Sequence, residues 1–260
     1  MNNYVIMKVT NLKGVTVMNV DVWSDFACPF CYIGKRRFES GLSRFAHKDD
    51  VTIVFRSFRL DPSTPREPEQ DIHTALAAKY GMSREQAMEA NRNVGEQAAA
   101  EGLTFRFDTM QVTNTLDAHR LTHFAEAHGK REALTELLFK AYFTDSDNLC
   151  DRETLLRIAG EAGLDRSAAD EVLAGDQFTD NVHIDEEIAS QLGVRGVPFF
   201  VVNNKYAVSG AQPAELFLEV LEKAWAEEHG ESDAAGQALN TETADEAGIC
   251  TDDGCEVPKG

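Results

Sequence analysis

Residues 21–39 read Asp-Val-Trp-Ser-Asp-Phe-Ala-Cys-Pro-Phe-Cys-Tyr-Ile-Gly-Lys-Arg-Arg-Phe-Glu. The stretch opens as a strand and closes as a helix. Over residues 15–26, VTVMNVDVWSDF, apolar and polar side chains alternate and β-branched residues are frequent, the pattern of a half-buried strand. Beyond Cys31 the apolar positions Ile33, Phe38, Leu42 and Phe45 recur at helical spacing. Pro29 suits the first turn of that helix, where its missing N–H is not needed. Cys28 and Cys31 are therefore expected at a strand-to-helix turn, one at the helix start and one a turn further in.

That placement has chemical consequences. Unpaired N–H groups and the macrodipole at a helix N-terminus favour an anion, so the Cys28 thiol is expected to ionise easily and act as nucleophile. Cys31, expected to be more buried, can attack the resulting mixed disulfide; two intervening residues let the sulfurs meet within disulfide geometry. A zinc site is the competing reading. It needs two further ligands, and Cys250 and Cys255 offer them only with four residues between and carboxylates alongside. An inert pair is the other alternative. Pro29 and the helix start favour redox chemistry, and no metal is assigned.

Working outward, residues 51–60, VTIVFRSFRL, form a second strand that stops at Asp61-Pro62. Helical periodicity then occupies 70–80, 84–101, 115–128, 130–143, 152–162, 166–174 and 180–192, with Ser83 and Gln86 as a capping box and Gly81, Gly102, Gly129 and Gly163 at helix ends. Strands return at 198–202 and 206–209 around a tight turn at Asn203-Asn204, and a last helix covers 213–228. This is a βαβ half and a ββα half with helices inserted between them: an α/β protein of thioredoxin-like fold with an inserted all-helical domain. The expected divisions are an N-terminal extension (1–17), a discontinuous thioredoxin-like domain (18–62 and 193–229), the helical insert (63–192) and a flexible acidic tail (230–260). Met1, Met7 and Met18 all remain open as the start.

A second mark is Gly196-Val197-Pro198-Phe199-Phe200, ahead of the returning strand. In this fold a cis-proline loop faces the CxxC helix start, and the backbone of the preceding residue, Val197, is free to pair with a partner strand. A trans proline opening an edge strand is the alternative; the upstream CxxC favours cis.

Composition narrows the function. A 260-residue chain with 43% hydrophobic residues can bury a sizeable core without disulfide or metal staples. Acidic residues number 44 against 25 basic ones, a net charge of -19, which repels phosphate backbones and argues against nucleic-acid binding. The longest apolar runs are far too short to cross a bilayer, and the first residues lack a secretory h-region and cleavage site. A cytoplasmic location is expected, where cysteine pairs are more often catalytic or metal-binding than structural. The odd count of five cysteines also argues against a closed disulfide framework.

Taken together, residues 21–39, Thr115-Leu-Asp-Ala-His-Arg-Leu121, Gly196–Phe200 and Val208-Ser-Gly-Ala-Gln-Pro213 resemble the DsbA-like family of thioredoxin-fold proteins, and within it the FrnE-like branch. These segments are spread over the folded part of the chain, residues 18–228. The resemblance implies a dithiol active site at Cys28 and Cys31, a cis-proline at Pro198, and partner contacts at Pro29, Phe30, Val197, Ser209 and Gly210. Similar proteins of the hydroxychromene-carboxylate isomerase and kappa-class glutathione transferase types typically carry serine at the position of Cys28. The Pro29-Phe30 dipeptide departs from the Pro-His of strongly oxidising members, so a milder couple is expected.

Cys250 and Cys255 resemble the second cysteine pair of some FrnE-like proteins. Asp252, Asp253 and Glu256 disfavour thiolates there, so a disulfide between them is expected to resist reduction. A flexible linker of about 20 residues spans about 25 Å, enough for the reduced pair to pass electrons to a Cys28–Cys31 disulfide at an effective concentration of about millimolar. An unused, solvated tail is the alternative.

Weaker signals remain. His119 and His123 have the i, i+4 spacing of metal ligands, with Glu126 near, but packing or hydrogen bonding on an insert helix is preferred. Lys35, Arg36 and Arg37 read as a solvated basic face; attraction of an acidic substrate or of glutathione carboxylates is the alternative. Cys150 reads as a structural or incidental free thiol. The expected function is disulfide exchange, reduction or isomerisation on a disulfide-containing protein or a low-molecular-weight disulfide, without a cofactor but with glutathione as a conceivable co-substrate. Two alternatives are a glutathione-dependent isomerase or transferase, and a binding protein switched by its dithiol. The oligomeric state is left open.

Overall fold

The computed structural model describes residues 17–66, 70–230, 249–251 and 254–256. Most of the expected extension (1–17), the linker before the tail cysteines, and Asp252 and Asp253 lie outside the described residues. The chain begins with β1 (Met18–Ser24), α1 (Pro29–Arg44) and β2 (Val51–Ser57). Seven helices follow: α2 (Ile72–Tyr80), α3 (Arg84–Ala100), α4 (Leu116–Glu126), α5 (Arg131–Phe143), α6 (Arg152–Glu161), α7 (Arg166–Ala174) and α8 (Thr179–Gln191). It returns through β3 (Gly196–Val197), β4 (Phe199–Val202), β5 (Tyr206–Ser209) and α9 (Ala214–His229), and ends in β6 (Ile249–Thr251) and β7 (Gly254–Glu256).

The main sheet has the order β2-β1-β4-β5, with β1 parallel to β2 and antiparallel to β4, and β4 antiparallel to β5. The β4–β5 hairpin turns at Asn203 and Asn204, both left-handed at φ 49° and 54°. Asparagine tolerates that conformation, and two such residues match the twist of the flanking strands. The Asn203 side chain accepts a hydrogen bond from the Asn19 N–H at 2.7 Å, tying the hairpin to β1.

One face of the sheet packs Val20, Val22, Phe200 and Val208 against Phe38 of α1 and Phe217, Leu221 and Trp225 of α9. Each such large side chain, fully buried, contributes about 1.5–3 kcal/mol. Gly41 brings the two helices together: a Cβ there would lie 2.6 Å from the carbonyl oxygen of Ala214. The larger core runs from Trp23 and Ile33 into the insert, where Leu121, Leu134, Leu138 and Phe139 are buried. Local signals set the helix ends. The Ser83–Gln86 capping box is formed, and Asp71, Asp151 and Asp165 cap α2, α6 and α7.

The insert is fastened to the sheet by polar groups. Trp23 Nε1 donates to the carbonyl of Asp185 in α8 at 3.0 Å, and the Asp185 carboxylate accepts from the Ser57 N–H at 2.9 Å. The expectation of a solvated Lys35–Arg37 face is corrected. Lys35 is buried and reaches Glu136 of α5 at 2.7 Å, Arg36 pairs with the same carboxylate, and Arg37 donates to Glu101 and to the carbonyl of Ala211, both at 2.6 Å. The reason is that α1 packs between the sheet and the insert, so its basic side chains meet acceptors instead of water.

Candidate functional site

Cys28 is the N-cap of α1 in an extended conformation, and Pro29 opens the helix. The backbone at this turn is closed by the Cys28 N–H on the carbonyl of Asp25 and the Cys31 N–H on the carbonyl of Cys28, both at 3.1 Å. Cys28 and Cys31 are free thiols. Cys28 Sγ donates to the carbonyl oxygen of Val197 at 3.6 Å, and Cys31 Sγ accepts from the Asp25 N–H at 3.5 Å. The two cysteines and Val197 are thus brought together from α1 and β3, 169 residues apart in sequence.

The Val197–Pro198 peptide bond is cis. The Pro198 carbonyl accepts from the Gly210 N–H at 2.8 Å, and Gly210 has φ 78°, a conformation that suits glycine. Ser209 pairs with Phe199 across the β4–β5 ladder. Ser209 and Gly210 therefore stand behind the proline loop. Gly34 lets α1 meet this loop, since a Cβ on it would lie 2.8 Å from Pro198 Cγ.

Two expectations about this site need correction. Cys28 is 0% exposed and Cys31 2%, so the first sulfur is not the more open one. Burial pushes the Cys28 thiol well above its ordinary ionisation range, and the Cys31 sulfur and the Asp25 charge push the same way. Desolvation of a thiolate outweighs the help of the helix N-terminus. Phe30, expected to touch a partner, is also wholly buried, because its position on α1 turns it into the core.

The free backbone edge expected at Val197 is occupied. β3 pairs antiparallel with β6, Val197 opposite Cys250 and Gly196 opposite Thr251, and β6 pairs with β7 with Cys250 opposite Cys255. Strand β6 also approaches α1. A two-residue strand leaves no alternation to read, so β3 and its partner were invisible in the sequence.

The histidines take separate roles. His119 Nε2 lies 3.4 Å from Asp25 Oδ1, and His123 Nε2 lies 3.2 Å from Asp185 Oδ2 and 3.0 Å from the Ser57 hydroxyl. Among the described residues no cluster of metal-ligating side chains forms. Cys150 Sγ accepts from the Asn114 N–H at 3.0 Å and holds that loop. Asp25 was missed as a site residue; its place three residues before Cys28 was the available signal.

The profile of the family described as DSBA-like thioredoxin domain matches residues 19–222. A crystal structure named as a probable DsbA oxidoreductase from Streptomyces coelicolor is 45% identical, with a TM-score of 0.78, covering 93% of this chain and 100% of that one. A 2-hydroxychromene-2-carboxylate isomerase structure is 17% identical with a TM-score of 0.60, covering 83% of this chain and 100% of that one. The cytosolic disulfide reductase DsbM from Pseudomonas aeruginosa, solved with GSH, is 16% identical with a TM-score of 0.56 over 79% of this chain and 99% of that one. The last two likenesses are of fold, which is thioredoxin-like. No helix among the described residues is long and apolar enough to cross a membrane.

Proposed function

The chain belongs to the family of DsbA-like thioredoxin domains, and on that premise we propose that it is a thiol–disulfide oxidoreductase acting through Cys28 and Cys31 in the reducing direction. The observation that carries the reading is the placement of two free thiols at the start of α1, with Cys28 Sγ facing the Val197 carbonyl. In the reaction, the Cys28 thiolate attacks one sulfur of a substrate disulfide and expels the other as a thiolate. The Cys31 thiolate then attacks the Cys28 sulfur, forming the Cys28–Cys31 disulfide and releasing the second substrate thiol. Two electrons pass to the substrate. A buried nucleophile whose thiolate is disfavoured leaves the reduced form without special stabilisation, which suits a reductant more than a strong oxidant.

Disulfide-containing proteins and low-molecular-weight disulfides, glutathione among them, are the substrate classes, with Pro198 and, once β6 has left the β3 edge, Val197 positioning the partner. The reducing cytoplasm is the setting in which this direction works, as for the cytosolic reductase of similar fold. The tail supports a relay. Directly opposed antiparallel residues have Cα atoms about 4.5–5.5 Å apart, inside the disulfide range, and the Cys250–Cys255 register supports oxidation of the two as a pair. Val197 is the ladder partner of Cys250 and its carbonyl faces Cys28, which favours exchange between the two pairs. Two electrons from the reduced pair would restore Cys28 and Cys31 and leave a Cys250–Cys255 disulfide.

The test is insulin disulfide reduction with dithiothreitol by the wild type, Cys28→Ser, Cys31→Ser and Cys250→Ser/Cys255→Ser. Loss of catalysis in both Cys28→Ser and Cys31→Ser is expected. Full activity in Cys31→Ser would instead favour one-thiol, glutathione-dependent isomerisation, and no turnover by the wild type would overturn general exchange.

A further inference from the structure

Asp25 and His119 form a buried acid–base pair directly under the dithiol. Asp25 is 2% exposed and His119 3%, and they come from the β1–α1 turn and from insert helix α4, 94 residues apart. Asp25 is bound on every side. Its Oδ2 accepts from the Leu60 N–H at 2.8 Å, its Oδ1 faces Ala27 N–H and His119 Nε2, both at 3.4 Å, and Thr115 adds a hydroxyl. Its backbone joins the reacting groups, with the N–H on Cys31 Sγ and the carbonyl on the Cys28 N–H. The His119 ring rests on Phe26 at 4.8 Å, so it cannot swing into solvent without disturbing the core.

An ionised carboxylate at this place opposes a second negative charge on Cys28. Burial by itself would raise the Asp25 carboxyl, but His119, the Leu60 N–H and Thr115 outweigh it and hold it below the ordinary range. Exchange nevertheless needs the thiolate. The only cation in direct contact with Asp25 among the described residues is the one His119 can carry. Other titratable groups near the pair are the two thiols of α1 and the phenol of Tyr142 on α5, which burial and then the Asp25 charge push up. Arg56 lines the same small cavity as His119, but Asp21 and Asp185 already pair with it.

We propose that Asp25 and His119 are positioning residues for the exchange reaction: His119, held against the Asp25 carboxylate, offsets its charge and allows Cys28 to ionise. The helical insert thereby sets the reactivity of a thiol that belongs to the other part of the fold. This rests on the assignment of Cys28 as the attacking thiol, but its test needs no substrate.

The test is a pH titration of ultraviolet thiolate absorbance on the reduced full-length chain, each protein differenced against its own Cys28→Ser counterpart. Asp25→Asn is expected to lower the Cys28 midpoint by on the order of one pH unit. His119→Gln is expected to raise it, and the double variant to fall near Asp25→Asn alone. A His119→Gln midpoint equal to wild type, or an equal rise with and without Asp25, overturns the proposal. If Asp25→Asn does not fold, His119→Gln against wild type decides alone. Midpoints that move as expected in a protein without disulfide turnover would sink the exchange reading and leave only the control of Cys28 ionisation by Asp25 and His119 standing.

Discussion

The carbonyl oxygen of Val197 lies 3.6 Å from the sulfur of Cys28, and the same Val197 is the ladder partner of Cys250. A single residue thus joins the dithiol to the C-terminal cysteine pair. The arrangement also has a cost for substrates, because an extended peptide seeking the β3 edge finds β6 already on it.

Deleting residues 231–260 should therefore improve binding of a peptide disulfide while removing the relay. With dithiothreitol as direct reductant, KM is expected to fall by roughly 5- to 30-fold, equivalent to about 1–2 kcal/mol of backbone hydrogen bonding. Steady-state kinetics on a synthetic peptide disulfide reads this, and an unchanged KM would show that β6 does not compete for the edge.

Gly34→Ala probes the fit of α1 against the proline loop. Its Cβ would sit 2.8 Å from Pro198 Cγ and 3.4 Å from Ala211, so the loop must move. A stability loss of about 1–3 kcal/mol is expected from such overpacking, with a larger proportional loss of exchange rate. Denaturant unfolding beside the insulin assay separates the two; full activity would mean that the loop position is not limiting.

Glu136 holds the insert to α1 through Lys35 and Arg36. Burial alone would raise its carboxyl, but the Arg36 and Lys35 hydrogen bonds outweigh it and lower it from 4.5 to about 2. A carboxylate depressed in the folded state stabilises above its unfolded value and loses that contribution as pH falls through the folded one. Glu136→Gln should therefore cost about 1–2 kcal/mol near neutral pH, discounted for its partial exposure. The difference from wild type should shrink between pH 4.5 and 2. Thermal unfolding as a function of pH checks it; a difference that grows on acidification contradicts the assignment.

Asp185 fastens α8 to the sheet edge by accepting from the Ser57 N–H and pairing with His123 and Arg56. Asp185→Ala leaves the buried Ser57 N–H without its acceptor and removes one of the two carboxylates paired with Arg56, and is expected to cost about 1–3 kcal/mol. Asp185→Asn should cost less, since it keeps an acceptor for Ser57. Chemical denaturation of both variants tests the ranking, and equal losses would assign the role to charge alone.

Much of the architecture was legible because it depends on neighbours in sequence. Alternation over 18–24, the helical spacing after Cys31, the Ser83–Gln86 cap and the Asn203-Asn204 turn are all settled within a few residues by backbone sterics and local hydrogen bonds. The same locality put Cys28 and Cys31 at a helix start. What the local pattern could not carry was solvation. A helix N-terminus favours a thiolate only to the extent that the sulfur is not buried, and the burial of Cys28 is decided by how α1, β3 and the insert pack. The pairing of Asp25 with His119, of Lys35 with Glu136 across 101 residues, and of Val197 with Cys250 likewise exists only once distant segments are brought together. Sequence alone determined where the two cysteines of α1 stand and which elements hold them; tertiary structure decided their charge environment and their partners, because desolvation and long-range pairing are properties of the packed chain.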